Sequence, residues 1–253
     1  MQFGISILSI VPVRSEPNDR SEMTTQLIFG EHYKILETIK RWSKIQIAHD
    51  KYVGWISNKQ IQEINIDEYE KLEKEVPTLT TDILDIIEAD YNQPIVMGSV
   101  LPTFKSDHAL INNKMYKFTG NKTQGYSQKK HLINNAMVYL NTPYLWGGRT
   151  PFGIDCSGFT QIIYRLQGIK IPRDAYQQIE IGQNIDLSNS EAGDLAFFEN
   201  KSGKITHVGI ILENEKIIHA SGHVRIDKLD KNGIFNLEKQ KYSHKLHSIK
   251  KLI

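Results

Sequence analysis

The apolar pattern changes character about halfway along the chain, and that change limits what each half can become. From Ile5 to Ile64, short alternating or apolar runs follow one another: ISILSIVPVR, EHYKILETI, WSKIQIAH and YVGWISN, parted by SEPNDRSE and HDK. Strands of this length and spacing predict a small antiparallel barrel or sandwich over residues 1–65. IDEYEKLEKEVP comes next, with Asp67/Lys71 and Glu70/Lys74 at i, i+4 and Pro77 as a stop, which predicts a short solvated linker helix. Residues 78 to about 122 return to strands in PIVMGSVLPTF, ALINN and KMYKFTGN, with Gly98, Pro102 and Asn112-Asn113 as punctuation. Residues 66–126 are therefore read as the linker helix and a second, more divergent barrel.

From residue 127 to 253 helical and strand patterns come in blocks. SQKKHLINNAMVYLN places Leu132, Ala136, Tyr139 and Leu140 on one helical face, and FTQIIYRLQG does the same for Phe159, Ile162, Ile163 and Leu166, with Gly168 as the cap. After Gly193, the runs GDLAFFEN, ITHVGIILEN and EKIIHASGHVRI read as strands. Helices first and strands afterwards predict an α+β domain. The expected architecture is two all-β barrels followed by that domain.

Composition removes several classes. The chain has 253 residues, 40% hydrophobic and 24% charged, an ordinary globular balance for roughly one to three domains. Lys plus Arg number 31 against 29 Asp plus Glu, so no net charge recommends a nucleic acid or an anionic membrane as partner. No apolar run reaches membrane-spanning length, and MQFGISILSIVPVR lacks the basic start of an export signal. The expectation is a cytoplasmic monomer, or a periplasmic or secreted one if a leader has been removed. The single cysteine, Cys156, excludes an intramolecular disulfide and a thiolate metal cluster.

Cys156 follows a Gly- and Pro-rich loop in YLWGGRTPFGIDCSGFTQIIYRL and begins a helix. Helix N-terminal N–H groups aimed at the sulfur favour thiolate, the state a nucleophile needs. The plainer alternative is a small buried hydrophobe. His207 in ITHVGII and His219 in KIIHASG fall on consecutive predicted strands and can lie side by side, one taking the thiol proton and the other orienting it. A zinc site from Cys156, His207 and His219, or from His219 and His223, lacks a carboxylate at ligand spacing, so neither metal nor cofactor is expected. Trp42, Trp55 and Tyr33 suit barrel cores or rims, and His244 and His247 with the terminal lysines read as a solvated basic edge.

The order PYLWGG, DCSGF, PRDAYQQ, GDLAFF, HVGIIL, IIHASG resembles the NlpC/P60 family of papain-like cysteine peptidases across residues 127–253. SEMTTQLIFGE, RWSKIQI and YVGWI resemble a bacterial SH3 domain. The resemblance implies a papain-like fold with Cys156 as nucleophile, His207 as general base and His219 as the residue orienting it. It implies an oxyanion hole from the Cys156 N–H with Tyr144 beside it, Trp146 as a pocket wall, and Ser157, Arg173 and Asp174 around the peptide. Asp155 would hold the substrate's free α-amine, joined by Glu22 of SEMTTQ and Tyr52 of DKYVGW from the first SH3 domain. Many members read PRDS where this chain reads PRDA, so Ala175 supplies no hydroxyl.

SH3-bearing members of this kind cleave the γ-D-glutamyl-L-diamino acid bond of small cell-wall peptides whose N-terminal L-Ala is free, releasing L-Ala-D-Glu for recycling. A non-catalytic peptidoglycan or peptide binder is the rival from another class. An amidase or acyltransferase of the same superfamily is the rival among enzymes.

Overall fold

The computed structural model describes residues 1–125 and 129–253. The expected boundary at 126/127 and the first two residues of the SQKKHL helix, Ser127 and Gln128, lie outside the described residues. The chain divides into two compact units, 1–126 and 127–253.

In the first unit a seven-stranded antiparallel sheet runs in the order Met23–Ile28, Ile10–Arg14, Val53–Ser57, Trp42–Ile47, His32–Thr38, Gln2–Ile5, Gln62–Ile64. Its alternation buries Val11, Val13, Leu27, Tyr33, Ile35, Ile45, Ile47 and Ile56 in one core. Trp42 is buried and Trp55 half-buried. Residues 78–123 form two small antiparallel sheets, one of four strands (Asn92–Val96, Leu84–Glu88, Lys114–Lys117, His108–Ile111) and one of three (Val100–Leu101, Thr78–Thr80, Lys122–Thr123).

These segments do not keep separate cores. Phe3, Ile5, Phe29 and Ile64 from the first pack with Ile87, Ile95, Leu101, Ala109, Ile111, Tyr116 and Phe118 from the second in one cluster. Gly30, at φ +78°, lets the chains meet here, because a Cβ would overlap the Val100 carbonyl oxygen. The helix Ile66–Lys74 belongs to the same cluster. Its charged face includes the Glu70–Lys74 pair at 3.7 Å, but Tyr69 and Leu72, three apart, are buried, with the Tyr69 ring 4.3 Å from that of Phe3. The expected solvated linker is therefore wet on one face only.

The second unit is helical first and then stranded. Leu132, Ala136 and Tyr139 anchor the helix Lys129–Val138 and its C-terminal turn. The Cys156 helix, Cys156–Leu166, is buried along all eleven residues, so it is a central helix instead of the amphipathic one its spacing suggests. Gly168 at φ +79° ends it: Gly168 N–H donates to the Arg165 carbonyl and Ile169 N–H to that of Tyr164, which satisfies two carbonyls that the helix leaves open.

The strands run Gln183–Ile185, Lys241–Lys251, Leu195–Glu199, Ile205–Leu212, Lys216–Ser221, His223–Asp230, Gly233–Asn236. Pairing of the last with Lys241–Lys251 closes six of them into a barrel around Ala196, Phe198, Ile211, Ile217, Leu229, Ile234 and Ile249. Lys241–Lys251, expected as a solvated tail edge, is thus a barrel strand paired on both sides. Among the described residues no helix is long and apolar enough to cross a membrane.

Candidate active site

The loop before Cys156 folds back through close backbone approaches that only glycine permits. A Cβ on Gly148 would overlap the Gly153 carbonyl oxygen, and one on Gly158 would overlap that of Gly148, so the WGG and DCSG segments interlock. Asp155 sits where they meet. Its Oδ1 accepts from the Gly158 N–H at 2.6 Å, capping the Cys156 helix, and its Oδ2 accepts from the Gly147 N–H at 2.9 Å.

Arg173 closes on the same carboxylate with two bonds, Nη1 to Oδ1 at 3.0 Å and Nη2 to Oδ2 at 2.6 Å, and Nη1 also reaches Ser157 Oγ at 2.9 Å. Asp155, Ser157 and Arg173 are therefore one buried cluster at the start of the nucleophile's helix. Gln178, fully buried and not singled out from sequence, braces it by donating to the Ser157 and Pro172 carbonyls and accepting from the Thr160 hydroxyl. Asp174 is half-buried and begins the short helix Ala175–Gln178, its N–H donating to Gln177 Oε1 at 3.2 Å. Ala175 is buried, while Trp146 is 61% exposed beside the loop.

Cys156 occupies the first position of its helix and is 7% exposed. Burial, and then the Asp155 charge, push its thiol up to about 12, against the backbone N–H groups of Val208 and Ser157 and the Arg173 guanidinium. The surroundings thus favour the neutral thiol, not the thiolate expected from the helix end alone. Tyr144 is half-buried close by: burial and the charges of Cys156 and Asp155 raise its phenol. Val208, whose N–H faces the sulfur, is the residue after His207.

His207 and His219 stand on neighbouring antiparallel strands, on the face that carries Ile211 and Ile217 into the barrel. His207 Nε2 and His219 Nδ1 are 2.8 Å apart, and both residues are buried. Gly209, between them, makes the approach possible, since a Cβ there would stand 2.8 Å from His219 Cβ. Burial and the neighbouring His219 and His244 hold His207 well below its ordinary value. Burial also lowers His219, opposed by Asp227.

Three residues that the sequence reading did not place at the site complete the group. His219 Nε2 lies 3.2 Å from Asp227 Oδ2, and Asp227 is clamped by Arg225 through Nε to Oδ2 at 2.7 Å and Nη2 to Oδ1 at 3.1 Å. The R-x-D alternation in HVRID, on the strand after IIHASG, was the available signal. His244, expected in solvent, lies against His207. The nitrogens of His207, His219 and His244 fall within 4.8 Å of one another. A metal would need their lone pairs to converge, whereas rings stacked as His207 and His244 are send them nearly parallel, and His207 Nε2 already bonds His219. The arrangement suits a proton relay.

In the first unit, Glu22 is exposed just before Met23–Ile28, and Tyr52 is half-buried against the core of its sheet.

Residues 141–242 match the NlpC/P60 family, and residues 13–61 match the bacterial dipeptidyl-peptidase SH3 domain. The C-terminal unit is an NlpC/P60 domain. A gamma-D-glutamyl-L-lysine dipeptidyl-peptidase of Bacillus cereus is 28% identical over 227 residues, 79% of this chain and 68% of its own length. Dipeptidyl-peptidase 6 of Lysinibacillus sphaericus is 24% identical, over 90% of this chain and 92% of its own. The crystal structure of an NlpC/P60 family protein from Bacillus cereus superposes with a TM-score of 0.84 at 21% identity, covering 98% of this chain and 99% of that one, and so shares the fold. With its NlpC/P60 domain and an SH3-like N-terminal region, the protein is a cysteine peptidase.

Proposed function

We propose that this NlpC/P60 peptidase hydrolyses the γ-D-glutamyl-L-diamino acid bond of cell-wall peptides with a free N-terminal L-Ala, releasing L-Ala-D-Glu. One observation carries the reading: a dipeptidyl-peptidase SH3 domain and an NlpC/P60 domain stand in one chain, 79% of which aligns with a relative named a gamma-D-glutamyl-L-lysine dipeptidyl-peptidase and 90% with one named dipeptidyl-peptidase 6. Short released peptides are the substrate this favours, in recycling instead of attack on intact wall. Residues 78–123, as a second divergent SH3-like module, belong to the same reading.

In this mechanism His207 takes the Cys156 thiol proton as the sulfur attacks the peptide carbonyl. The Cys156 N–H and the Tyr144 hydroxyl hold the oxyanion. The His207 imidazolium then gives its proton to the leaving amine, and water hydrolyses the thioester. His219 keeps His207 in place, Ser157, Arg173, Asp174 and Trp146 surround the peptide, and Asp155 receives its amine.

The test is incubation with L-Ala-γ-D-Glu-diamino acid tripeptide and with its N-acetylated form, following dipeptide release. Release from the free amine alone is expected. Equal cleavage of both forms removes the amine requirement, and full activity in Cys156→Ser removes the thiol mechanism. With a muramyl-linked stem peptide as a third substrate, freed muramyl glycan would mark an amidase, and acyl transfer in place of hydrolysis an acyltransferase.

A further inference from the structure

Behind the two histidines, the relay continues to groups with no assigned role. Asp227 lies on the strand His223–Asp230, where Arg225 is the direct cross-strand partner of His219 and Asp227 that of Ile217. Asp227 is therefore diagonal to His219 on the same face, within reach of its ring. Both side chains are 1% exposed. The Asp227 oxygens accept from Arg225 Nε at 2.7 Å, Arg225 Nη2 at 3.1 Å and the Leu237 N–H at 3.4 Å. Arg225 is fixed in turn by Glu238, 2.9 Å from Nη1.

A guanidinium keeps its protons at any working pH, so the group it clamps is a carboxylate, and a carboxylate only accepts hydrogen bonds. The nitrogen facing it, His219 Nε2, must then carry the hydrogen. A neutral imidazole has one N–H, so His219 Nδ1 is a bare lone pair. His207 Nε2, 2.8 Å away, must donate to it. That leaves the single lone pair of neutral His207 on Nδ1. Turned the other way, the chain would place the His207 hydrogen on Nδ1 and leave no acceptor for the thiol proton.

We propose that Asp227, held by Arg225, is a positioning residue that sets the proton arrangement of His219 and His207 and so makes His207 Nδ1 the base for Cys156. The inference rests on the thiol chemistry proposed above and on no particular substrate. It also gives a reason for a carboxylate in place of an amide at 227: both oxygens face donors, so the NH₂ of an asparagine would meet an N–H whichever way it turned.

The experiment reads the histidines and the sulfur directly. In ¹⁵N-resolved spectra of the histidine side chains of the full protein, His207 and His219 are both expected as Nε2–H tautomers. In Asp227→Asn that pattern is lost, and the rate of Cys156 alkylation by iodoacetamide at neutral pH falls on the order of tenfold or more as the base is lost. Asp227→Glu, which keeps the carboxylate, recovers part of the rate.

Wild-type His219 protonated on Nδ1 overturns the proposal even if no variant folds, and so does a folded Asp227→Asn protein with unchanged spectra and alkylation. Neither readout uses a peptide, so failure to cleave the tripeptide would count against the proposed substrate alone.

Discussion

His244 lies flat on His207, ring centroids 4.1 Å apart and planes 20° apart. It covers one face of the base and shuts out water there, and a charge on either ring would disfavour one on the other. Removing it in His244→Ala should let the His207 value climb back toward its ordinary range. Since His207 must be neutral to accept the thiol proton, the acid limb of kcat/KM should move to higher pH, with activity lost first in mildly acidic buffer. The stack itself should contribute about 0.5–1.5 kcal/mol to stability. A pH–rate profile of the variant that overlays the wild type would count against this role.

Acid should loosen the catalytic unit through the same cluster. His207 and His219 are lowered chiefly by burial, and His244 is held at about 4. In the unfolded chain all three take protons near pH 6.5. Between the folded and unfolded values the unfolded chain binds more protons, so this stabilisation is complete above about pH 7 and is lost as the pH falls toward 4. Each histidine titrating only when unfolded contributes a slope of about 1.4 kcal/mol per pH unit. Thermal unfolding should show a midpoint that drops between pH 6.5 and 5, and drops less in His244→Ala. A flat midpoint across that range would contradict the linkage.

Arg173→Ala should be among the most damaging single changes at the nucleophile. The guanidinium is 1% exposed and makes two bonds to Asp155, which caps the Cys156 helix. Removing one partner of a buried pair leaves the other charged and uncompensated, at about 3–5 kcal/mol. Denaturant unfolding measures it directly. A loss under about 1 kcal/mol would mean that the carboxylate finds water or another donor.

The nucleophile's position was legible because its signals are local, a glycine loop, Asp155 and an apolar helix within a dozen residues of it; the burial that keeps it a neutral thiol, and the Arg173 and Gln178 bonds behind it, come from farther along the chain. His207 and His219 were legible because period-two alternation, with a short turn between them, puts both on one face. His244 and Asp227 depend on more. Their meaning comes from barrel closure, which brings Lys241–Lys251 beside Leu195–Glu199 and Gly233–Asn236, and from a diagonal register that no motif spells out. In KYSHKLHSIKK the charge dominates the reading, although Ile249 is buried. The helix Ile66–Lys74 misled in the same way, its ion pairs masking the buried Tyr69 and Leu72.

Gly209→Ala tests how closely the two strands must meet. A Cβ at 209 would stand 2.8 Å from His219 Cβ and from Ile217 Cδ1, inside any ordinary contact, so the His219 side chain or its strand must shift. Overpacking of this kind costs about 1–3 kcal/mol. Because His219 moves with it, the 2.8 Å bond to His207 should lengthen, and turnover should fall further than stability alone explains. Stability and kcat measured on the same preparation separate the two effects. A variant that is less stable yet turns over at the wild-type rate would show that the His207–His219 bond tolerates displacement.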